Sequence, residues 1–262
     1  MPFTVSHVAA VIPLIGAARV RRLAEPWALA AGAMVPDLPL FLPLGEYREW
    51  HSPAGIALRC LPAGLVLLAL FQYVLRDPLT ALLPPPLAAR VAALERPGWR
   101  RAPAMAAGVL AGAVTHVLWD SFTHSWGWAW LSAPVAGTLP AYKLAQYAST
   151  AGGLAVVAWW CGRGLTAVAP VPRAPSLPAP VRRGVTGLAV TAGVAWVWLA
   201  APPDPALGLP GLVVRGGIGA AVGAGAVLAA YALIWHGVRA LRGEESGWPT
   251  STQDSRAGGS SS

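Results

Sequence analysis

Imidazole and carboxylate are the side chains that hold zinc and other divalent ions. This chain places six of them at the ends of apolar segments: His7, Asp37, His51, His116, Asp120 and His124. Its 262 residues include only five histidines and eleven acidic residues. Ionisable groups at membrane depth are costly and are usually kept for a job. The densest stretch is His116-Val-Leu-Trp-Asp120, followed by Ser121-Phe-Thr-His124. Residues four apart share a helix face, so His116 and Asp120 can address one ion. His124 extends that row if the helix continues, and Gly127 predicts that it ends soon after. Each residue also has a plain structural reading. Asp37 beside Pro36 and Pro39 is a turn residue, and His51 is a solvated loop histidine. His7 is a first-turn residue of a helix capped by Thr4 or Ser6. His116 and Asp120 make an interhelical hydrogen bond.

The elements that must position these residues are membrane helices. The chain is 55% apolar and 11% charged, with mean hydropathy +0.54. A soluble domain carries about 25% charged residues. Runs such as 55–75 and 212–235 reach the roughly 20 residues needed to cross a hydrocarbon core. A spanning fold that satisfies every backbone group in lipid is then helical. The expected fold is all-α, a polytopic membrane helical bundle of about seven apolar segments. These are 5–18, 27–43, 54–75, 103–120, 145–161, 184–201 and 212–236. The first two are short or broken, with Pro13 in one and Pro36, Pro39 and Pro43 in the other. Residues 1–242 form the membrane-embedded domain, and 243–262 a polar, Gly- and Ser-rich tail expected to be disordered.

Arginine sets the orientation. Arg19, Arg21 and Arg22 follow the first segment, Arg76, Arg90, Arg96, Arg100 and Arg101 the third. Arg163, Arg173, Arg182 and Arg183 follow the fifth, and Arg239 and Arg242 the seventh. The alternate loops hold only Arg48 and Lys143. By the positive-inside rule the N-terminus is outside and the C-terminus cytoplasmic, in a bacterial inner membrane. All six candidates then fall on the extracytoplasmic side, and the fifth histidine, His236, on the other. The net charge of +8 is explained by topology and anionic headgroups. The partner it implies is the lipid bilayer and not nucleic acid.

The tryptophans Trp50, Trp119, Trp126, Trp128, Trp130, Trp196 and Trp198 cluster at the same face, as an aromatic belt does. The loop 126–130 is a candidate substrate lip. Pro84–Pro86 marks a rigid turn, and 169–180 an extended linker. Cys60 and Cys161 lie in apolar segments and are expected only to pack. The first residues lack the basic start of a cleavable signal, so Met1 is expected to remain. There is no glycine-rich phosphate loop and no G-x-S-x-G elbow.

The start Met1-Pro2-Phe3-Thr4-Val5-Ser6-His7 resembles a bacterial membrane family catalogued as domain of unknown function 4184. So do Val35-Pro36-Asp37, Trp50-His51-Ser52 and Thr115-His116-Val-Leu-Trp-Asp120-Ser121-Phe-Thr-His124. More distantly the chain is similar to membrane-bound metal-dependent hydrolases. The order of its ligand-type residues is also similar to that of the zinc-dependent phospholipase C and single-strand nuclease group, which cleave phosphodiesters. That likeness implies one metal site from Asp37, His51, His116 and Asp120. His7 joins Asp120 at a bridged second site, and His124 begins a third. The group's further downstream histidine and acidic pair have no counterpart here, so one or two ions, zinc first, are expected.

The function expected is a membrane-embedded metal-dependent hydrolase with an outer-leaflet site, acting on a phosphoester-containing lipid or envelope substrate. His7 and His124 are its candidate acid–base groups if they are not ligands. A structural metal or hydrogen-bond site is the alternative. A small-solute or metal transporter is the third, and it requires ionisable groups deeper in the bilayer, which segments five and six lack.

Overall fold

A computed structural model describes residues 2–137, 139–172, 174–200 and 208–243. The expected tail beyond Gly243 lies outside the described residues. The described chain is all-α apart from one two-stranded ribbon, β1 (Pro134–Ala136) against β2 (Leu139–Pro140). A 3-10 turn, Thr4–His7, leads into α1 (Val8–Gly16), α2 (Ala18–Leu23) and α3 (Pro26–Gly32). A second 3-10 turn, Val35–Leu40, and a single turn, α4 (Tyr47–Trp50), follow. The long elements are α5 (Pro53–Ala81), α7 (Ala102–Thr123), α8 (Ala141–Ala167), α9 (Ala179–Ala200) and α10 (Gly208–Leu241), with α6 (Pro85–Ala92) a short connector.

Three of these helices are long and apolar enough to cross a membrane: α5, α7 and residues Gly211–Leu241 of α10. Only 22% of the apolar stretch of α5 is buried inside the protein. Leu58, Val66 and Leu70 face outward. An apolar surface of that extent suits lipid and not water. Segments five and six form long helices but are not among the three. The first two segments are short; Pro13 sits inside α1 without ending it, and the second gives way after Gly32 to the proline-containing 3-10 turn.

The core sits where α1, α3, α5 and α7 meet. Val11, Ile15, Leu29 and Ala33 form one cluster, and Ala28, Leu68, Met105 and Val109 a second. A third joins Val35, Trp50, Cys60 and Ala113. Trp50 is therefore a core residue, with its indole N–H donating to Leu44 O at 3.2 Å, and not part of a belt. Cys60 packs as expected, while Cys161 faces outward. Small residues let α3 and α7 touch. A Cβ on Gly32 would lie 2.2 Å from Val109 O, and one on Gly112 2.3 Å from Leu29 O. Glycine is what permits such close backbone approach.

Two sequence boundaries move. The third segment runs on through Arg76, which is buried and bonds Gln72, Val91 O and Leu94 O. Pro84–Pro86 opens α6 instead of forming only a turn, because proline at a first helical position costs no backbone hydrogen bond. Arginines tie this end of the bundle together. Arg90 donates to carbonyls at the C-terminal end of α8, Leu165 O, Thr166 O and Val168 O, where helical partners run out. Arg101 donates to Arg21 O, and Arg96 pairs with Asp77. His236 also lies here, 2.8 Å from Val74 O. Val74 is about 30 Å along α5 from its start beside His51, at 1.5 Å per residue. The arginine-rich end and the candidate ligands are therefore at opposite ends of the helices.

Candidate metal centre

One face of α7 builds the site. Gly108, Gly112, His116 and Asp120 recur every fourth residue, and this row faces inward throughout. The two glycines press α7 against α3. One turn further, His116 Nδ1 reaches the carbonyl of Ala33 at 2.8 Å, just past the end of α3. The next turn carries Asp120. The chain after α3 turns back through Val35–Leu40, where Pro36 and Pro39 fix a tight path and Asp37 is fully buried. His51 follows the single turn α4, and its Nδ1 lies 3.0 Å from Tyr47 O. The Thr4–His7 turn packs on α8 at Gly153, where a Cβ would meet the Ser6 side chain at 2.7 Å.

Asp37, His51, His116 and Asp120 each offer one ligand atom within 4.8 Å of the others. His51 Nε2 is 3.4 Å from His116 Nε2, and each is 3.5 Å from Asp120 Oδ2. His116 Nε2 is also 3.5 Å from Asp37 Oδ1. These separations exceed the 2.7–3.2 Å of a good hydrogen bond. They fit two corners of a tetrahedral ion, roughly 3.3–3.4 Å apart when each metal–ligand bond is about 2.0–2.1 Å. The backbone acceptors at Nδ1 of His51 and His116 leave Nε2 with its lone pair turned inward. This is how metal-binding histidines are commonly oriented.

The other two candidates meet the opposite carboxylate oxygen. His7 Nε2 and His124 Nδ1 each lie 3.5 Å from Asp120 Oδ1. His7 is buried, and neither of its ring nitrogens has a hydrogen-bond partner. An unpaired buried nitrogen is costly, and a cation beside Asp120 Oδ1 would satisfy it. His124 is not on the helical row. α7 ends at Thr123 and His124 is extended, with φ −133° and ψ 152°. Its Nδ1 folds back 3.1 Å from Asp120 O. Burial pushes its imidazole below the ordinary value, against the pull of Asp120.

Thr4 and Ser6 are not helix caps. Thr4 donates to Asp37 Oδ2 at 2.7 Å, and Ser6 to Phe3 O at 2.6 Å. Sequence reasoning missed Tyr47. Its hydroxyl lies 3.3 Å from Asp37 Oδ1 and 3.2 Å from Asp120 Oδ2, donating between the two carboxylates. Burial, aided by both acids, pushes the phenol far above its usual range, so it stays a neutral donor. The signal was its place four residues before His51, with the rings 3.9 Å apart.

No lysine or arginine pairs with either carboxylate among the described residues. An isolated buried charge costs several kcal/mol. One divalent ion balances two carboxylates and leaves the imidazoles neutral. The donor set, its orientation and its charge therefore all fit a metal ion.

A cavity of about 830 Å³ abuts the cluster, with Thr4, Tyr47 and His124 in its wall. The tryptophans of 126–130 do not line it. Trp126 instead stacks on His124, with centroids 5.6 Å apart.

These features define a helical, membrane-type protein with a buried His/Asp set able to hold a metal ion. The family model described as Domain of unknown function (DUF4184) matches residues 1–236, and the chain belongs to that family. No curated protein and no solved structure matches it. None of these comparisons shows a likeness to hydrolases.

Proposed function

We propose that the protein is a membrane-embedded, divalent-metal-dependent hydrolase of phosphoester substrates, with zinc the first candidate ion. Its N-terminus and site lie at the outer leaflet of a bacterial inner membrane. The observation that carries this reading is the two-sided use of Asp120. Its Oδ2 faces His51 and His116, and its Oδ1 faces His7 and His124. The first set, with Asp37, has four protein donors and is closed, as structural sites are. The second has His7 Nε2 at Asp120 Oδ1, with His124, whose Nδ1 lies 3.1 Å from Asp120 O, bordering the cavity. Fewer than four protein donors with one side open is the catalytic pattern.

A bound ion would supply Lewis acidity, polarising a phosphoryl oxygen and acidifying water. The chain's own residues do the rest. Thr4 and Tyr47 hold the carboxylates in place. Ala33 O and Tyr47 O fix the histidine rings. His124, with its imidazole held towards the neutral form, stands at the cavity wall to accept a proton from attacking water.

The closed four-donor set also favours a second reading, a structural clamp joining α3, α4 and α7. The test is metal analysis of detergent-purified protein, with hydrolysis of a chromogenic phosphodiester. We expect bound zinc in the wild type, its loss in His116→Ala, and hydrolysis that stops with chelator and returns with zinc. Stoichiometric metal with no hydrolysis of phosphomonoesters or diesters would favour the clamp. Wild type without metal would overturn both readings.

A further inference from the structure

The cavity beside the cluster differs sharply from wall to wall. Its inner end is polar, formed by Thr4, Tyr47 and His124. Its sides are apolar, from Phe3, Leu40, Phe41, Val213, Val214 and Ile218. Two cations line it, Lys143 and Arg215, and among the described residues no acidic residue does. Lys143 is the one lysine of the chain. Its Nζ donates to Gln146 Oε1 at 3.1 Å. Gln146 is itself buried and donates through Nε2 to Thr123 O at 3.2 Å. The lysine is thereby tied to the end of the helix that carries Asp120. Arg215 lies in the first turns of α10, inside a stretch apolar enough to span a membrane. A charge there is expensive unless it meets an anion or the headgroup layer.

We propose that this cavity binds a phosphate-bearing amphiphile, its anionic head between Lys143, Arg215 and the His124 end, its hydrocarbon chain along the Val213–Ile218 wall. The volume falls in the range of ligand pockets, about 300–1,000 Å³. It suits a head group and the first part of a chain, with the rest of the chain in the bilayer. Two cations with no acidic residue beside them in the described lining select an anionic head over a zwitterionic or neutral one. The apolar wall selects a lipid over free phosphate. This names the substrate class of the proposed hydrolase and rests on that reading for the chemistry, though not for the binding.

The experiment is native mass spectrometry of the full chain released from micelles, with metal content measured on the same samples. The probes are dihexanoyl phosphatidate, dihexanoyl phosphatidylcholine, dihexanoylglycerol and inorganic phosphate. We expect phosphatidate to bind at least tenfold more tightly than the choline lipid or the glyceride, with equimolar inorganic phosphate failing to displace it. The Lys143→Gln/Arg215→Gln double variant should lose at least tenfold in phosphatidate binding while its metal content stays at the wild-type level. Ile218→Trp, which narrows the apolar wall, should weaken phosphatidate without creating binding of inorganic phosphate. Equal binding of phosphatidate and glyceride, or wild-type binding by the double variant, would overturn the proposal. Displacement by inorganic phosphate would replace it with a small-anion site. Phosphatidate binding in wild type that holds no metal would sink the hydrolase reading and leave this one standing.

Discussion

The ring of His7 lies on the ring of His116, with centroids 3.8 Å apart and planes 18° apart, and each turns Nε2 to a different oxygen of Asp120. Two imidazolium rings so stacked would repel. The stack disfavours charging both rings at once, so the two imidazoles alone do not balance both carboxylates. A bound cation is the simplest charge that does.

Asp120 joins the two halves of the cluster, so its charge matters more than its size. Asp120→Asn should lower bound metal by more than half and abolish metal-dependent hydrolysis, while the protein still inserts. Mass-spectrometric metal analysis after detergent purification checks this. Unchanged metal content would reduce Asp120 to a hydrogen-bonding residue.

His7 and His51 should be separable. His7→Ala removes a donor on the Oδ1 side only, so about one of two bound equivalents should go. His51→Ala should release the ion on the Oδ2 side. If both variants lose all metal together, the cluster holds a single ion.

Tyr47 touches both carboxylates without being a strong donor to a cation. Tyr47→Phe should leave metal bound and slow hydrolysis by about 10–100-fold, the usual effect of a residue that orients ligands. The readout is metal content and turnover on one preparation. Loss of metal in the variant would make the phenol part of the ion's binding.

Gly112 meets no ligand, yet it sets where His116 stands. Gly112→Ala should open the α3–α7 contact, cost about 1–3 kcal/mol as overpacking does, and lower metal content. Gly152→Ala is the control, because a Cβ there meets nothing within 4 Å. Thermal unfolding in detergent compares the two. Equal melting temperatures would show that α3 and α7 can shift apart freely.

The arginine pattern predicts that residue 242 lies inside and Val5, which is exposed, outside. Single cysteines at those positions, in a chain whose Cys60 and Cys161 are changed to alanine, should be labelled by an impermeant reagent only at the N-terminal site of intact cells. Labelling confined to position 242 would invert the topology and put the cluster at the inner leaflet.

Much of this was legible in the sequence because it is local. Apolar composition demands helices in lipid, prolines hold the end of the second segment in a 3-10 turn, and spacing by four sets His116 and Asp120 on one face. The same row runs back through Gly112 and Gly108, so the close α3–α7 approach was also written there, unread. Other features depended on contacts between residues far apart in the chain. Thr4 looked like a cap until the fold brought it to Asp37, 33 residues away. Tyr47 carried no reading until the chain turned it between two acids, one of them 73 residues distant. Trp50 looked like a belt residue and became core, and Arg76 moved from loop to buried helix. The two cavity cations lie 72 positions apart (143 and 215), and only the fold brings them to one cavity. Periodicity and composition act along the chain and fix which face a residue takes. Which oxygen it meets is decided through space, by how closely helices pack, and no spacing along the chain records that.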